Sequence, residues 1–300
     1  MRLPNSRRQF LRLSSLAMAI PLMPFPPTEQ AKVSIAPNGQ MSIQQAIDTI
    51  ISHIPGGKLD TTVDTFKSSD PGQALRGIVS TFLATTAVIK EAIAKHANLI
   101  ITHEPTFYNH LDETDWLQQD PVYLYKRKLL EDNHIVVWRF HDYWHRHRPD
   151  GILHGFLQKM NWLSYLDPQQ ENTCIIPPTP LPKLARTFKK KLELDRCFYI
   201  GDPRLSCSRI GILPGAWGRG PHIELLQKDI DVLVIGETAE WETAEYVRDA
   251  AEAGMKKGLI VLGHAMSEEP GMAYVLDWLK DVLPGVPAWH IPAHDPFVGV

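Results

Sequence analysis

The chain has 300 residues, too many for a small disulfide scaffold and enough for one large α/β domain or two ordinary ones. Its 31 Lys and Arg residues against 34 Asp and Glu residues give a formal net charge of −3, which lacks the electrostatic signature of a nucleic-acid-binding protein. With only 3 cysteines and no CxxC pair, neither a disulfide framework nor a thiolate zinc site is expected. The 13 histidines are the informative excess, because histidine is the commonest metal ligand.

Residues 1–36 are predicted to be an export leader. Arg7 and Arg8 precede an apolar run at residues 13–25, an order that resembles a bacterial twin-arginine signal and predicts a periplasmic protein. The apolar run is shorter than the ~20 residues that span a bilayer, so no stable transmembrane anchor is expected. Cleavage after a small-x-small sequence at residues 34–36 and retention as an N-terminal tether both stay open.

The rest of the chain alternates predicted helices with predicted strands. Apolar residues at helical spacing predict helices, and short β-branched runs predict buried strands. The predicted helices are 43–54, 87–97, 122–133, 151–160, 181–192, 240–253 and 273–283, and the predicted strands are 77–82, 98–102, 135–138, 209–213, 230–235 and 259–262. Four prolines within residues 177–182 predict either a boundary or an extended connection.

This alternation predicts the α/β fold class with mainly parallel sheets. We expect two intertwined α/β parts behind the leader. The first would consist of residues 37–160 with 264–300, and the second of residues 161–263. The functional site is expected between the two parts, at the carboxyl ends of the strands.

Three of the predicted strands are followed by imidazole and carboxylate side chains. These are His103 and Glu104 after residues 98–102, His141, Asp142 and His145 after residues 135–138, and His264 and Glu268 after residues 259–262. A lone histidine after a strand is usually an ordinary polar residue, but three such ends together favour a metal site. Mixed imidazole and carboxylate ligands suit zinc, iron or manganese, and this number of donors can hold two divalent ions about 3.5–4 Å apart.

The same residues carry a resemblance to a known family. Residues 97–107 (ANLIITHEPTF) and 263–268 (GHAMSE) are similar to two boxes of the Nif-three-like dinuclear-metal proteins, often labelled GTP cyclohydrolase I type 2. The closing residues 295–297 (DPF) are similar to the usual C-terminal sequence of that family. The resemblance implies that His103, His264 and Glu268 bind metal and that the chain forms a ring-shaped homohexamer.

The chain departs from the family pattern at two positions. The second of two consecutive family histidines is Glu104 here, and His145 stands where a ligand aspartate is expected. A compensated exchange would preserve the ligand count. Alternatively, Asp142 supplies the carboxylate and His145 orients it, or one metal position is lost. The predicted metal ligands are therefore His103, Glu104, Asp142, His145, His264 and Glu268.

The predicted function is a metal-dependent hydrolase that attacks a small-molecule substrate with metal-activated water. Glu104 or Glu237, if it is not used as a ligand, would act as the general base. Arg219, in a Gly-rich turn, and His141 are predicted substrate contacts, although a plain tight turn is the favoured explanation of the glycines. GTP itself is not expected as the substrate, because an exported protein does not ordinarily meet a GTP pool. The alternative function is a non-catalytic scaffold in which the ions hold the two parts together.

Overall fold

The structure, a computed structural model, describes residues 40–298. The predicted leader at residues 1–36, with its twin arginine and its candidate cleavage site, lies outside this range. None of the helices between residues 40 and 298 combines the length and the apolar character that a membrane crossing requires.

The described residues form an α/β structure in which helices and strands largely alternate. The strands are β1 (Ile78–Thr81), β2 (Leu99–Thr102), β3 (Val136–Arg139), β4 (Thr173–Pro180), β5 (Phe198–Ile200), β6 (Ser206–Leu213), β7 (Val232–Ile235), β8 (Gly258–Val261) and β9 (Ala288–His290). The helices are α1 (Ile43–Ser52), α2 (Thr86–Ala94), α3 (Pro121–Asp132), α4 (Asp142–Arg146), α5 (Gly151–Met160), α6 (Leu181–Lys191), α7 (Arg219–Leu226), α8 (Glu245–Glu252) and α9 (His264–Val282). The predicted α/β class is confirmed.

The first sheet has four parallel strands in the order β3-β2-β1-β9. Every residue of β1, β2 and β3 is buried, as expected for a parallel sheet covered on both faces. Apolar residues of α1 and α9 cover one face, and apolar residues of α2 and α3 cover the other. Burial on both faces explains why these strands appear in the sequence as unbroken apolar runs instead of alternating patterns.

The second sheet has five strands in the order β4-β6-β7-β8-β5. Its three central strands are parallel, whereas β4 and β5 pair antiparallel at the two edges. Residues of α5 and α6 pack on one face, and residues of α7 and α8 pack on the other. Three of the four clustered prolines lie in β4, so this segment is an extended edge strand, where a missing backbone N–H is tolerated.

The two sheets are built from different stretches of the chain. Those of the first sheet fall within residues 37–160 and 264–300, and those of the second fall within residues 161–263. That these two parts are separate domains stays a prediction.

The predicted helix at residues 273–283 begins too late, because α9 starts at His264 and continues through Pro270. A helix-breaking proline is tolerated here because α9 is packed closely against α5. A Cβ added to Gly155 of α5 would come 2.6 Å from the Cα of Gly271, so the two backbones cross almost in contact. His264 and Glu268 are four residues apart. Because α9 begins at His264, both lie in its first turns and on the same face of the helix.

Candidate metal centre

The side chains predicted from three separate strand ends come together in the structure. His103 and Glu104 follow β2, and His141 lies between the neighbouring strand β3 and α4. His145 lies in α4, and His264 opens α9 just after β8. Because β2 and β3 are parallel neighbours, the segments that follow them begin at the same edge of the sheet.

Three imidazole rings form a compact group. The ring centroid of His103 lies 4.7 Å from that of His141 and 5.0 Å from that of His145. The ring centroids of His141 and His145 are 4.9 Å apart. One nitrogen of each ring lies within 4.8 Å of the corresponding nitrogens of the other two, a spacing that a single metal ion can bridge.

Two carboxylates form a second group with His103. Ligand atoms of His103, Glu104 and Glu268 also lie within 4.8 Å of one another. The Nε2 atom of His264 is 3.1 Å from Oε2 of Glu268 and 3.6 Å from Oε1 of Glu104. The two groups are therefore adjacent, and His103 belongs to both.

Each of the four histidines has its Nδ1 atom occupied by an acceptor. These contacts are His103 Nδ1 with the Phe140 carbonyl at 3.1 Å, His141 Nδ1 with Asp142 at 2.9 Å, His145 Nδ1 with Asp150 at 2.8 Å, and His264 Nδ1 with Glu237 at 3.3 Å. Metal-binding histidines commonly donate the N–H of one ring nitrogen to a carboxylate or carbonyl, which leaves the other nitrogen for the metal. In His103, His141 and His145 these contacts favour the tautomer that leaves Nε2 for a metal, whereas Nε2 of His264 itself contacts Glu268 at 3.1 Å.

The residues present fit a divalent cation. His103 is fully buried, and its Nε2 atom has no hydrogen-bond partner among the described residues, a costly state for a polar atom unless a ligand binds it. Burial, together with neighbouring His145 and His141, holds the pKa of His103 well below its usual value, so the ring is neutral and presents a lone pair.

The surroundings of His264 favour positive charge on its ring. Burial lowers the pKa of His264, but hydrogen bonds to Glu104, Glu237 and Glu268 outweigh burial and raise that pKa to about 12. These three carboxylates stabilise positive charge at His264. A bound cation would satisfy the same carboxylates in place of that proton.

Asp142 lies at the site but outside both candidate ligand groups. One of its oxygens accepts hydrogen bonds from Thr62 Oγ1 at 2.8 Å and from the Val63 N–H at 3.1 Å, while the other contacts His141. His145 is held by Asp150 and belongs to a candidate ligand group. This arrangement differs from the interpretation in which His145 orients Asp142, because each of these two histidines has an aspartate of its own. The ligand roles themselves stay predictions.

The two other predicted site residues lie in different surroundings. Glu237 touches the centre through His264, and 58% of its side chain is exposed. The Arg219 side chain is 72% exposed and forms an ion pair with Glu242 at 3.2 Å. It does not line the cavity above the centre, so its predicted contact with a substrate remains a prediction without a geometric basis.

A cavity of about 510 Å³ opens onto the centre. Besides six predicted site residues and His110, whose ring centroid lies 6.1 Å from that of His141, its walls include Ala216 and Trp217 from the loop after β6. The lining consists of Glu104, His110, His141, Asp142, His145, Ala216, Trp217, His264 and Glu268. A volume of this size suits a small-molecule ligand.

Several supporting residues were missed by the sequence analysis. Asp64 is buried and accepts hydrogen bonds from the backbone N–H groups of His141, Asp142 and Tyr143, which fixes the start of α4. Burial raises the pKa of Asp64 to about 6 against the effect of these backbone bonds. Asp150 was recognisable only as a helix cap, because it precedes α5 and accepts the Leu153 N–H. Nothing in the sequence marks Asp64.

Residues 67–296 match the family described as Duf34/NIF3 (NGG1p interacting factor 3). Among solved structures, the Staphylococcus aureus hypothetical protein SA1388 aligns with a TM-score of 0.68 and 18% identity, over 87% of this chain and 100% of that one. A Bacillus cereus protein related to NIF3 aligns with a TM-score of 0.69 and 14% identity, over 89% and 100%.

Reduced HcgD from Methanocaldococcus jannaschii aligns with a TM-score of 0.61 and 16% identity, over 83% of this chain and 97% of that one. Identities this low show a shared fold alone. No curated protein matches the chain.

Proposed function

The chain belongs to the Duf34/NIF3 family, and we propose that it is a dinuclear metal-dependent hydrolase that acts on a small-molecule substrate. The proposal is carried by one observation: four histidines converge on two buried or half-buried carboxylates, and each has Nδ1 held by an acceptor. Structural cores have no need for four such rings, whereas metal sites require ligands oriented in this way.

We assign one ion to His103, His141 and His145 and the other to Glu104, Glu268 and His264. His103 lies within reach of both positions. In this assignment His141 is a ligand rather than a substrate contact, and Asp142 orients it. Zinc, iron or manganese suits such a mixture of imidazole and carboxylate.

When bound, the ions would lower the pKa of a water molecule and polarise the bond to be cleaved. Glu237, which contacts His264 and lines the adjacent cavity, is the carboxylate that we assign as the proton acceptor. It belongs to neither ligand group, it is exposed to the solvent, and its hydrogen bond to His264 lowers its pKa, so it is ionised at neutral pH. Glu104 is less suited, because its carboxylate is occupied by Arg139 and by contacts with His264 and His141.

The test is metal content followed by turnover. The protein is purified without chelator or added metal, and its metal is measured by elemental analysis; a panel of small esters, amides and phosphoesters is then assayed before and after chelation. We expect about two equivalents of metal and turnover that disappears on chelation and returns with the ion. Stoichiometric metal with no turnover on any substrate class would contradict the hydrolase.

A scaffold function is favoured by one feature of the centre. Its histidines come from segments that follow strands of both sheets, β2 and β3 of the first and β8 of the second, so bound ions would join the two. If this is the main role, chelation lowers the melting temperature strongly while no substrate is turned over.

We also propose export by the twin-arginine route into the periplasm, and assembly as a homohexamer. The sequence at Arg7 and Arg8 and the family resemblance support these two proposals. Replacing both arginines with lysine should leave the protein in the cytoplasmic fraction, and light scattering on the purified protein should give six times the chain mass. A periplasmic double-lysine variant would contradict the export route.

A further inference from the structure

Trp217 stands in the wall of the cavity above the metal centre, where the other large side chains are histidines and carboxylates. Its side chain is 43% exposed, and its ring centroid lies 6.3 Å from that of His145. It belongs to none of the apolar clusters that form the cores of the two sheets. By contrast, Trp138 and Trp144 are almost completely buried in the core of the first sheet.

The loop that carries Trp217 is fixed to the helix that carries two proposed ligands. The Gly215 N–H donates to Ser267 Oγ at 2.9 Å, and Ser267 Oγ donates to the His264 carbonyl at 2.8 Å. The Gly215 carbonyl accepts the Glu237 N–H at 3.1 Å. Gly215 has φ +79°, and a Cβ at this position would overlap Glu268. The loop is therefore fixed against α9 at Gly215, two residues before Trp217.

Holding a large apolar ring in contact with solvent above a polar site has no evident benefit to folding. A Trp side chain that is half exposed offers a flat apolar face and prefers to pack against another ring. The cavity of about 510 Å³ has room for a ligand with one aromatic ring beside the proposed ions. Within the lining, the only apolar neighbour of Trp217 is Ala216, so the indole supplies most of the apolar contact.

We propose that Trp217 is a specificity residue that binds the aromatic ring of the substrate, and that the substrate carries its hydrolysable group next to that ring. This inference rests on the proposed metal-dependent function. It narrows the substrate class to small aryl esters, amides or phosphoesters, with the reacting group at the His and Glu cluster and the ring against the indole face.

Three hydroxamates with the same metal-binding group test the inference on the full, metal-loaded chain. Acetohydroxamate has no ring, cyclohexanecarbohydroxamate has a saturated ring, and benzohydroxamate has an aromatic one; each is titrated by calorimetry. The variants are Trp217→Leu and Trp217→Phe. Trp241→Leu is the matched control, because Trp241 is 80% exposed and does not line the cavity.

We expect the wild-type protein to bind benzohydroxamate more tightly than either of the other two. Trp217→Leu should weaken the binding of benzohydroxamate by about 3- to 10-fold, the range for an aromatic pair. It should weaken the binding of acetohydroxamate by less than about 2-fold. Trp217→Phe should retain most of the preference, and Trp241→Leu all of it. Metal content should be equal in the four proteins.

The inference is overturned if the wild-type protein shows no aromatic preference, or if Trp217→Leu keeps it. It is also overturned if Trp217→Leu loses metal, because the indole would then support the centre instead of a ligand. If none of the three hydroxamates binds a chain that holds two ions, the ions are not accessible to a ligand. That result would contradict both the proposed open metal centre and the inference. If the hydroxamates bind but show no aromatic preference, the inference fails and the hydrolase proposal is unaffected.

Discussion

The two sheets contribute to the centre in different ways. The first sheet supplies the segments of His103, Glu104, His141 and His145. His103 and Arg139 are 0% exposed there, whereas the side chains of His141 and His145 are 24% and 25% exposed. The second sheet supplies exposed groups from its connecting loops, with Trp217 43% exposed and the side chain of Glu237 58% exposed. The segments after β2 and β3 of the first sheet therefore carry four of the predicted ligands, and His264 and Glu268 follow β8 of the second sheet. The loops after β6 and β7 form the accessible side of the site.

This difference separates the expected effects of substitutions. Changes beside the first sheet should alter metal binding, because its ligands are held by buried hydrogen bonds. Changes in the loops after β6 and β7 should alter turnover or ligand choice at constant metal content, because Trp217 and Glu237 belong to neither candidate ligand group.

The largest effect is expected for His103→Ala. His103 belongs to both candidate ligand groups, so its removal should cost at least one of the two proposed ions and lower turnover by a factor on the order of 10³. Elemental analysis and steady-state rates measure the two outcomes. His53→Ala is the control, because His53 is an exposed residue at the end of α1. Full metal content in His103→Ala would show that His103 is not a metal ligand.

Glu237→Gln should lower kcat by about 10²-fold without loss of metal. Loss of a general base costs roughly 10²–10⁴-fold, and the amide oxygen can still accept the Nδ1 proton of His264. The neighbouring Glu240→Gln serves as the control, because Glu240 is exposed and, among the described residues, forms no ion pair with a histidine of the centre. A Glu237→Gln variant that turns over normally but binds metal weakly would show that Glu237 only orients His264.

Asp150→Ser should weaken metal binding by about 10-fold or more, the effect of removing a carboxylate that orients a ligand histidine. Serine was chosen because Asp150 also caps α5, and serine preserves a capping oxygen. Competition with a chromophoric chelator measures the metal affinity. Asp120→Ser, at the cap of α3, is the matched control, since its carboxylate makes only capping bonds. Equal affinities in the two variants would contradict the orienting role of Asp150.

The smallest effect is expected for the pH dependence of stability that arises from Lys126, a buried lysine of α3. Burial lowers the pKa of Lys126 to about 8, with partial compensation from Asp112. Between this value and the unfolded pKa of about 10.4, the unfolded chain binds more protons than the folded chain. The free energy of unfolding should therefore rise with pH across this window, by an amount on the order of 1 kcal/mol.

Urea unfolding at pH 8 and pH 10 measures that rise. Lys126→Met should flatten the dependence, whereas Lys128→Met, on the exposed side of the same helix, should not. An equal pH dependence in wild type and Lys126→Met would assign the rise to other groups.

The strand ends show which parts of the site could be predicted from the sequence. His103 and Glu104 follow an unbroken apolar run, and in a parallel sheet that pattern alone predicts side chains at the ligand-binding edge. The partners of the histidines could not be predicted in the same way. His103 is held by the carbonyl of Phe140 and His264 by Glu237, residues separated by dozens of positions or by a whole strand.

Helix α9 shows a similar limit. The helix predicted at residues 273–283 begins instead at His264 and continues through Pro270. The packing of Gly155 against Gly271 stabilises the longer helix, and neither glycine carries a signal that the two backbones meet. The i, i+4 spacing of His264 and Glu268 became meaningful only with that helix in place.

The sequence by itself determined the α/β class, the buried strands and the kinds of side chain at their ends, because each depends on residues that are close along the chain. Only the tertiary structure decided which nitrogen of His103, His141 and His145 is left for a metal, that Asp142 and Asp150 each hold a different ring, and that Trp217 lies above the cluster. These features depend on contacts between distant segments, and such contacts exist only after the strands have paired and α9 has packed against α5.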